Sequence, residues 1–423
     1  MLQVYRCLTS FLFPFFIILI YFRRILNKED KTRFKEKIFS SHFRANKKDK
    51  KKLIWFHAAS IGECLSIMPL IDEINSEYDN INFLITTVTL SSSRLIEKKL
   101  INNQNIFHRF FPLDLENLAK NFLDSWDPDL VCFVDSEIWP NFLFKIKEKK
   151  IPLLLINARL TKKSFNRWKI VFNFAKKVFD NFDLCLASSK ESKNNLGQLE
   201  IKNIKYIGNL KFSVKNLINE IKHSNKKILD NYKTWCAAST HYGEELMILK
   251  THLEIKKKYN NVLTIIIPRH INRSPYIANL SKKLNLNSQV LNSEDSINPS
   301  SEILIINSFG VLPEYFNYCK NVFIGKSLVK GEKNVSGQNP IEAAKLGCKI
   351  FHGPYVYNFQ EIYDRLKSYG IAEKINNEFD LAEKIKNNFE NPMMIDQPQL
   401  KSLNNYGEKI LKETFIEINE YLK

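Results

Sequence analysis

In the stretch HAASIGECLSIMPLI, His57 to Ile71, Glu63 follows a small-residue turn, with the apolar run LIWF before it and an amphipathic segment after it. Three more stretches put reactive side chains just behind apolar runs: DSEIWPN with Asp135 and Glu137, NARL from Asn157, and GNLKF with Lys211. Carboxylates at neighbouring strand ends of an open α/β sheet converge on one crevice, so a single composite site is expected. Such a carboxylate can be general base to a hydroxyl, while the lysine stabilises departing negative charge. Plainer readings stay open: Glu63 as a first-turn carboxylate complementing the helix dipole, and Lys211 as an ordinary solvated lysine.

A second group lies further along the chain. In STHYGEE, Ser239 and Thr240 are cap candidates, with Glu244 and Glu245 in the first helical turn. PRH, Pro268 to His270, ends an apolar run and places Arg269 where a guanidinium commonly pairs with phosphate. In SGQNPIEAAKLG, Ser336 to Gly347, Pro340 stands at an expected first helical position. Bare N–H groups there can receive a phosphate, and Glu342 can reach a ribose hydroxyl. Capping alone would also account for Asn339 and Glu342. There is no Walker motif, no GxGxxG and no HExxH, and the eight histidines lack ligand spacing. Asp127-Pro128-Asp129 reads as a turn, so no metal is assigned to it.

Positioning these residues is the work of alternating strands and helices. KLIWFHA, INFLITTV, IFHRFFPL, LVCFVD, IPLLLINA, LCLAS and IKYIGN read as buried strands, and the intervals between several of them fit helices. The pattern breaks near FSVKNLINEIKHSNKKILDNYK and resumes with TWCAAST, VLTIIIPRH, SQVLN, EILIINSFG, NVFIGKS and CKIFHGP. The expected class is therefore α/β, with two Rossmann-like parallel-sheet domains facing a cleft. The expected boundaries are an anchor and basic connector over 1–45, a first domain over 46–215, a linker over 216–231, a second domain over 232–395 and a C-terminal helix over 396–423.

The amino terminus has its own character. From Leu8 to Phe22 the chain carries no charge, and RRILNKEDKTRFKEK follows at once. No small-residue cleavage site follows and no charged region precedes, so an uncleaved membrane anchor is expected rather than a secretory signal. The basic flank would stay cytoplasmic and favour anionic headgroups. The formal charge of +18, from 63 Lys+Arg against 45 Asp+Glu, points to an anionic partner, although a Lys- and Asn-rich composition raises charge on its own. Seven dispersed cysteines without a CxxC pair suggest neither a disulfide framework nor a zinc site.

HAASIGE, DSEIWPN, NARL, GNLKF, STHYGEE, PRH and SGQNPIEAAKLGCKIFHGPYVYNFQEI occur together in the order and spacing of the Kdo transferases, the 3-deoxy-D-manno-octulosonic-acid transferases of glycosyltransferase family 30, which the chain resembles over nearly its whole length. That resemblance implies a GT-B fold and inverting transfer of Kdo from CMP-Kdo to the lipid A precursor, lipid IVA, at the cytoplasmic face of the inner membrane. By motif, Glu63 matches the proton acceptor, and Asp135 and Lys211 match transition-state stabilisers. Pro268, Arg269, Phe309, Gly310, Val311, Asn339, Pro340, Ile341 and Glu342 match segments that hold CMP. The implied partners are the CMP-sugar, the lipid acceptor and anionic lipid headgroups, with no cofactor, metal or nucleic acid. Asp135 and Val311 stand where glutamates are usual, Gln338 where histidine is common, and Lys326 where glycine is common. The rival readings are a GT-B enzyme using a UDP-sugar on a lipid acceptor, and a basic membrane-tethered binding protein without catalysis.

Overall fold

The computed structural model describes residues 1–43, 51–100, 103–214, 223–308, 310–329, 336–392 and 397–423. The chain divides into two compact units, Met1–Val214 with Tyr406–Lys423, and Lys215–Asn405.

The first unit is built on the strands β1 (Lys52–His57), β2 (Ile81–Thr87), β3 (Ile106–Phe110), β4 (Leu130–Val134), β5 (Leu153–Ala158), β6 (Leu184–Ala187) and β7 (Ile204–Tyr206). They form one sheet in the order β3-β2-β1-β4-β5-β6-β7, every pair parallel. β2, β4, β5 and β6 are buried at every residue, because helices cover both faces of a parallel sheet and leave no solvated side for polar alternation. The densest packing surrounds Trp55, whose ring lies 4.9 Å from that of Phe122, 5.6 Å from Phe133 and 5.8 Å from Phe142. Each such buried aromatic contributes about 1.5–3 kcal/mol through removal of its surface from water.

The second unit repeats the plan with β8 (Lys233–Thr240), β9 (Val262–Pro268), β10 (Ser288–Leu291), β11 (Ile303–Ile306), β12 (Asn321–Ile324), β13 (Lys349–His352) and β14 (Ala372–Lys374). Their order is β10-β11-β9-β8-β12-β13-β14, again wholly parallel; it differs from the first sheet in that the fourth strand of the unit, β11, lies between the second and third rather than beside the first. β14 escapes a reading of the sequence because it is a three-residue edge strand, only its first residue buried. Within 216–231, His223–Leu229 is a helix.

In a sheet of this kind the direction of winding reverses beside the strand that comes first in the chain, and the flanking loops part to leave a crevice at the carboxyl ends. These reversals fall between β1 and β4 in the first unit and between β8 and β12 in the second.

Two terminal elements complete the first unit. The helix Leu2–Ile25, mean hydropathy 1.8 over its most apolar window, is long and apolar enough to cross a membrane. The helix Gln397–Asn419 brings the chain back from the second unit. Gly407 lies so close to Phe212 that an added Cβ would sit 2.1 Å from that residue's carbonyl oxygen, so only glycine permits the approach. Lys205 pairs with Glu417 at 2.6 Å nearby.

Candidate active site

Strand β1 ends at His57, and the helix Ile61–Glu77 begins four residues later with Ser60 as its cap. The Ser60 hydroxyl accepts from the Glu63 N–H at 3.4 Å and donates to Glu63 Oε1 at 2.7 Å, while the Ala59 N–H donates to Oε2 at 2.7 Å. This is a capping box drawn one residue back, so the dipole-complementing reading of Glu63 holds. It leaves room for another role. Each carboxylate oxygen keeps a second lone pair, and the cap bonds lock the side chain in place. Glu63 is 9% exposed, and burial, reinforced by the carboxylates of Asp135 and Glu137, raises its pKa above the usual carboxylate value.

Asp135 directly follows β4, the strand next to β1 across the winding reversal. Its backbone is left-handed, φ 63°, a conformation Asp tolerates better than most residues. The Asp135 N–H donates to Ile156 O and its carbonyl accepts from the Arg159 N–H, each at 3.0 Å, which fixes the loop against the end of β5. Its side chain is buried, and Lys211 Nζ approaches Oδ2 at 2.9 Å, whereas Oδ1 is buried without a hydrogen-bond partner among the described residues.

Lys211 is therefore not a solvated lysine. It sits in the short 3-10 turn Leu210–Ser213, whose amide at Leu210 donates to Asn157 Oδ1 at 2.9 Å and whose amide at Lys211 donates to Asn209 Oδ1 at 3.0 Å. Asn157, in the NARL stretch, thus holds the turn that aims Lys211 at Asp135. The lysine stem also passes Gly62: a Cβ there would lie 3.8 Å from Lys211 Cε. Glu63, Asp135 and Lys211 are gathered at one place in the first unit.

Two residues in the quoted motifs gain partners that spacing alone does not show. Glu137 Oε2 accepts from Trp139 Nε1 at 2.9 Å and lies 3.3 Å from His57 Nε2. His57 is fully buried, stacked on Phe111 at 3.9 Å, with Nδ1 2.9 Å from Thr86 Oγ1. A histidine ending a buried strand is the only signal in the sequence. Cys64, next to Glu63, is buried, its thiol pKa pushed up by burial, so it offers no thiolate. Asp127 has φ 43° at a helix end and Asp129 accepts from the Leu53 N–H at 2.7 Å, so the Asp-Pro-Asp string is the expected turn.

In the second unit the motif residues stand at carboxyl ends of strands as well. Pro268 is the last residue of β9, and the exposed Arg269 follows it, its N–H donating to Thr240 O at 3.1 Å. Arg273 is taken by Glu245 in a two-pronged pair at 2.9 and 3.0 Å; the Arg269 guanidinium has no ion pair among the described residues. Gly310, φ 80°, and the half-buried Val311 follow β11, while Phe309 lies outside the described residues. Asn339 is exposed and its Oδ1 accepts from the Ile341 N–H at 3.2 Å. Pro340 is the cap residue rather than the first helical one, since the helix Ile341–Lys345 starts after it. The half-buried Glu342 has its pKa raised by burial.

Ser239 and Thr240 do not cap. Thr240 still belongs to β8, and the helix Glu244–Lys256 starts behind Gly243, φ 91°, with no side-chain cap. Glu244 instead turns inward and is fully buried. It accepts the N–H groups of His241 at 3.0 Å, Lys326 at 2.7 Å, Ser327 at 2.9 Å and Leu328 at 3.0 Å. The Lys326 carbonyl then accepts from the Gly337 N–H at 2.6 Å and the Ser336 hydroxyl at 2.7 Å. One carboxylate thereby ties the loops after β8 and β12 to the Ser336-to-Asn339 segment.

A family model for 3-deoxy-D-manno-octulosonic-acid transferase (kdotransferase) matches residues 32–214. The 3-deoxy-D-manno-octulosonic acid transferase of Rickettsia bellii is 31% identical over 99% of this chain and 96% of its own length. The chain belongs to the Kdo transferase family. It is a glycosyltransferase. The enzyme of the same description from Haemophilus influenzae is 27% identical to this transferase over 85% of the chain and 83% of its own. Among solved structures, UDP-GlcNAc 2-epimerase from Neisseria meningitidis superposes with TM-score 0.58 at 16% identity, over 86% of this chain and 100% of that one. A glycosyltransferase from Rickettsia africae gives TM-score 0.58 at 12% identity over 89% and 100%. At those identities the likeness is one of fold, and it agrees with a GT-B-like α/β architecture.

Proposed function

We propose that this transferase moves Kdo from CMP-Kdo to a hydroxyl of the lipid A precursor, with inversion at the anomeric carbon, at the cytoplasmic face of the inner membrane. The observation that carries the reading is the gathering of Glu63, Asp135 and Lys211 beside the winding reversal of the first sheet. Glu63 takes the proton of a glucosamine 6-hydroxyl as that oxygen attacks the anomeric carbon. Its raised pKa suits a base that must bind a proton in the transition state near neutral pH. Lys211, steadied by Asp135, faces the negative charge that develops as the bond to phosphate breaks.

On the second unit, Arg269 meets the phosphate of departing CMP, and the amides around Gly310, Val311 and Asn339 to Glu342 receive the rest of the nucleotide. Val311 has no carboxylate to offer, so that segment would contact the nucleotide through its backbone. CMP-Kdo carries a phosphate and a sugar carboxylate, which gives an excess of basic residues a purpose.

The test is mass spectrometry of the product from CMP-Kdo and lipid IVA in mixed micelles, run beside UDP-sugars and repeated with Glu63→Gln. A mass increase of one or more Kdo units with CMP-Kdo alone, lost in Glu63→Gln while CMP still raises the melting temperature, is the expected outcome. Turnover of a UDP-sugar only would overturn the donor, and near-wild-type turnover by Glu63→Gln would place the base elsewhere.

A further inference from the structure

The helix Leu2–Ile25 carries an unusual division of its surface. Along one side it is fastened to the first unit from end to end. Tyr5 donates to Asp114 Oδ2 at 2.7 Å, and Arg6 pairs with Glu116 at 3.0 Å and Glu148 at 3.4 Å. The Asn141 amide reaches Thr9 Oγ1 at 3.5 Å, and Phe13 packs on the core beneath. Further on, Ile20 is buried with Phe34 and Ile38, Tyr21 meets Phe34 edge-on at 5.0 Å, and Arg23 pairs with Glu29 at 2.7 Å. The opposite side is apolar and bare. Val4, Phe11, Ile18 and Ile25, spaced by seven, are 65, 82, 67 and 73% exposed, and Leu8, Phe15 and Phe22 form a parallel row at 53, 59 and 56%.

A helix so fastened is unsuited to crossing a bilayer. Its partners at one end are the half-buried Glu116, the exposed Glu148 and the buried Asp114, and at the other the buried Glu29, all belonging to the folded first unit. Crossing would take one of these ends, with its partners, through hydrocarbon that accepts neither charges nor irregular backbone. Laid flat, the same helix would sink its bare row below the headgroups and leave every one of those partners within the folded unit, outside the hydrocarbon. The exposed residues Arg23, Arg24, Lys28 and Lys31 at its carboxyl end complement anionic lipid.

We propose that Leu2–Ile25 lies in the plane of one leaflet, with the Val4-Phe11-Ile18-Ile25 row facing acyl chains and the Tyr5-Arg6-Ile20-Arg23 side docked on the first unit. The proposal rests on the membrane location given above and specifies its geometry: the first unit is held at a set orientation on the lipid surface instead of swinging from a tether.

The test uses the full chain on vesicles of phosphatidylethanolamine and phosphatidylglycerol. Cys7 is exposed and the other six cysteines are buried, so Cys7→Ser alone gives a background for spin labels at single cysteines replacing Val4, Phe11, Ile18 or Ile25. Oxygen and nickel-chelate accessibilities should place all four labels at one shallow depth, within about 5 Å of each other. A crossing helix would separate the first and last by about 32 Å, with the middle pair deepest, and would overturn the proposal. Labels shielded from both lipid and water, with mutual broadening, would mean a second copy covers the row and would overturn it too. Failure of the protein to bind vesicles at all would sink the membrane location itself, whereas binding with a depth gradient sinks the orientation alone. As a second measurement, Phe11→Glu/Ile18→Glu should weaken vesicle binding at least tenfold and leave the melting temperature unchanged.

Discussion

Replacing Lys211 with methionine probes the candidate site most directly, because the ammonium is the sole side-chain partner of Asp135 among the described residues. The pair is 2.9 Å long with side chains 16 and 6% exposed, and Asp135 Oδ1 has no hydrogen-bond partner among the described residues. Methionine fills the space of the lysine stem but removes the charge, leaving a buried carboxylate with nothing opposite it. Breaking such a pair from one side costs about 3–5 kcal/mol, more than the pair itself is worth, since the remaining charge stays desolvated. In a unit of this size each kcal/mol moves the melting midpoint by about 2–4 °C, so Lys211→Met should melt roughly 6–20 °C lower at neutral pH. Lys211→Met/Asp135→Asn should regain most of the loss, because asparagine also tolerates the left-handed backbone at φ 63° and carries no charge. Transfer activity should stay down by about 10²-fold or more in both variants, since neither offers a cation to the departing phosphate. Calorimetry and initial rates on the three proteins decide the matter. A single variant melting within 2 °C (about 1 kcal/mol) of the parent, or a double variant as unstable as the single, would refute the account of Lys211 as counter-charge to Asp135.

Other expectations follow from neighbouring contacts. Because the Glu63 pKa is raised, the acid limb of the pH–rate profile should lie above the ordinary carboxylate range, with activity lost as the pH falls through it; ionisation there opposes folding, so Glu63→Gln should not lower the neutral-pH melting temperature. Asp114, pushed up to about 6 by burial, binds a proton more tightly folded than unfolded, so its contribution to stability falls as the pH rises from about 4 to 6. Asp114→Asn should remove that slope, worth about 3 kcal/mol, in a comparison of pH–denaturation curves. Glu244→Ala orphans four backbone N–H groups and should cost roughly 4 kcal/mol or more, together with the melting shift induced by CMP. Gly325→Ala would set a Cβ 2.5 Å from Ser239 O, a backbone atom unable to yield, so the second unit should lose about 1–3 kcal/mol and bind CMP less tightly by fluorescence titration.

Much of the architecture is legible along the chain because burial is a local signal. Runs such as LIWF and LVCFV are apolar on both faces, which only a covered parallel strand requires, and the reactive residues follow immediately after them. Ser239 and Thr240 do not cap the helix because a cap is chosen by how a strand exits its sheet. Here β8 runs on through Thr240 and a left-handed Gly243 opens the helix.

By itself, then, the order of residues determined most of the strands and which side chains stand just behind them, since propensity and hydrophobic period act over a few residues. Tertiary structure alone decided that Lys211 meets Asp135 across 76 positions and that Glu244 gathers amides more than 80 residues away. It also decided that the amino-terminal helix is fastened along one side and bare along the other. Strand order, loop closure and docking are settled by the whole chain minimising its exposed surface and unpaired polar groups at once, and no short window of sequence contains that sum.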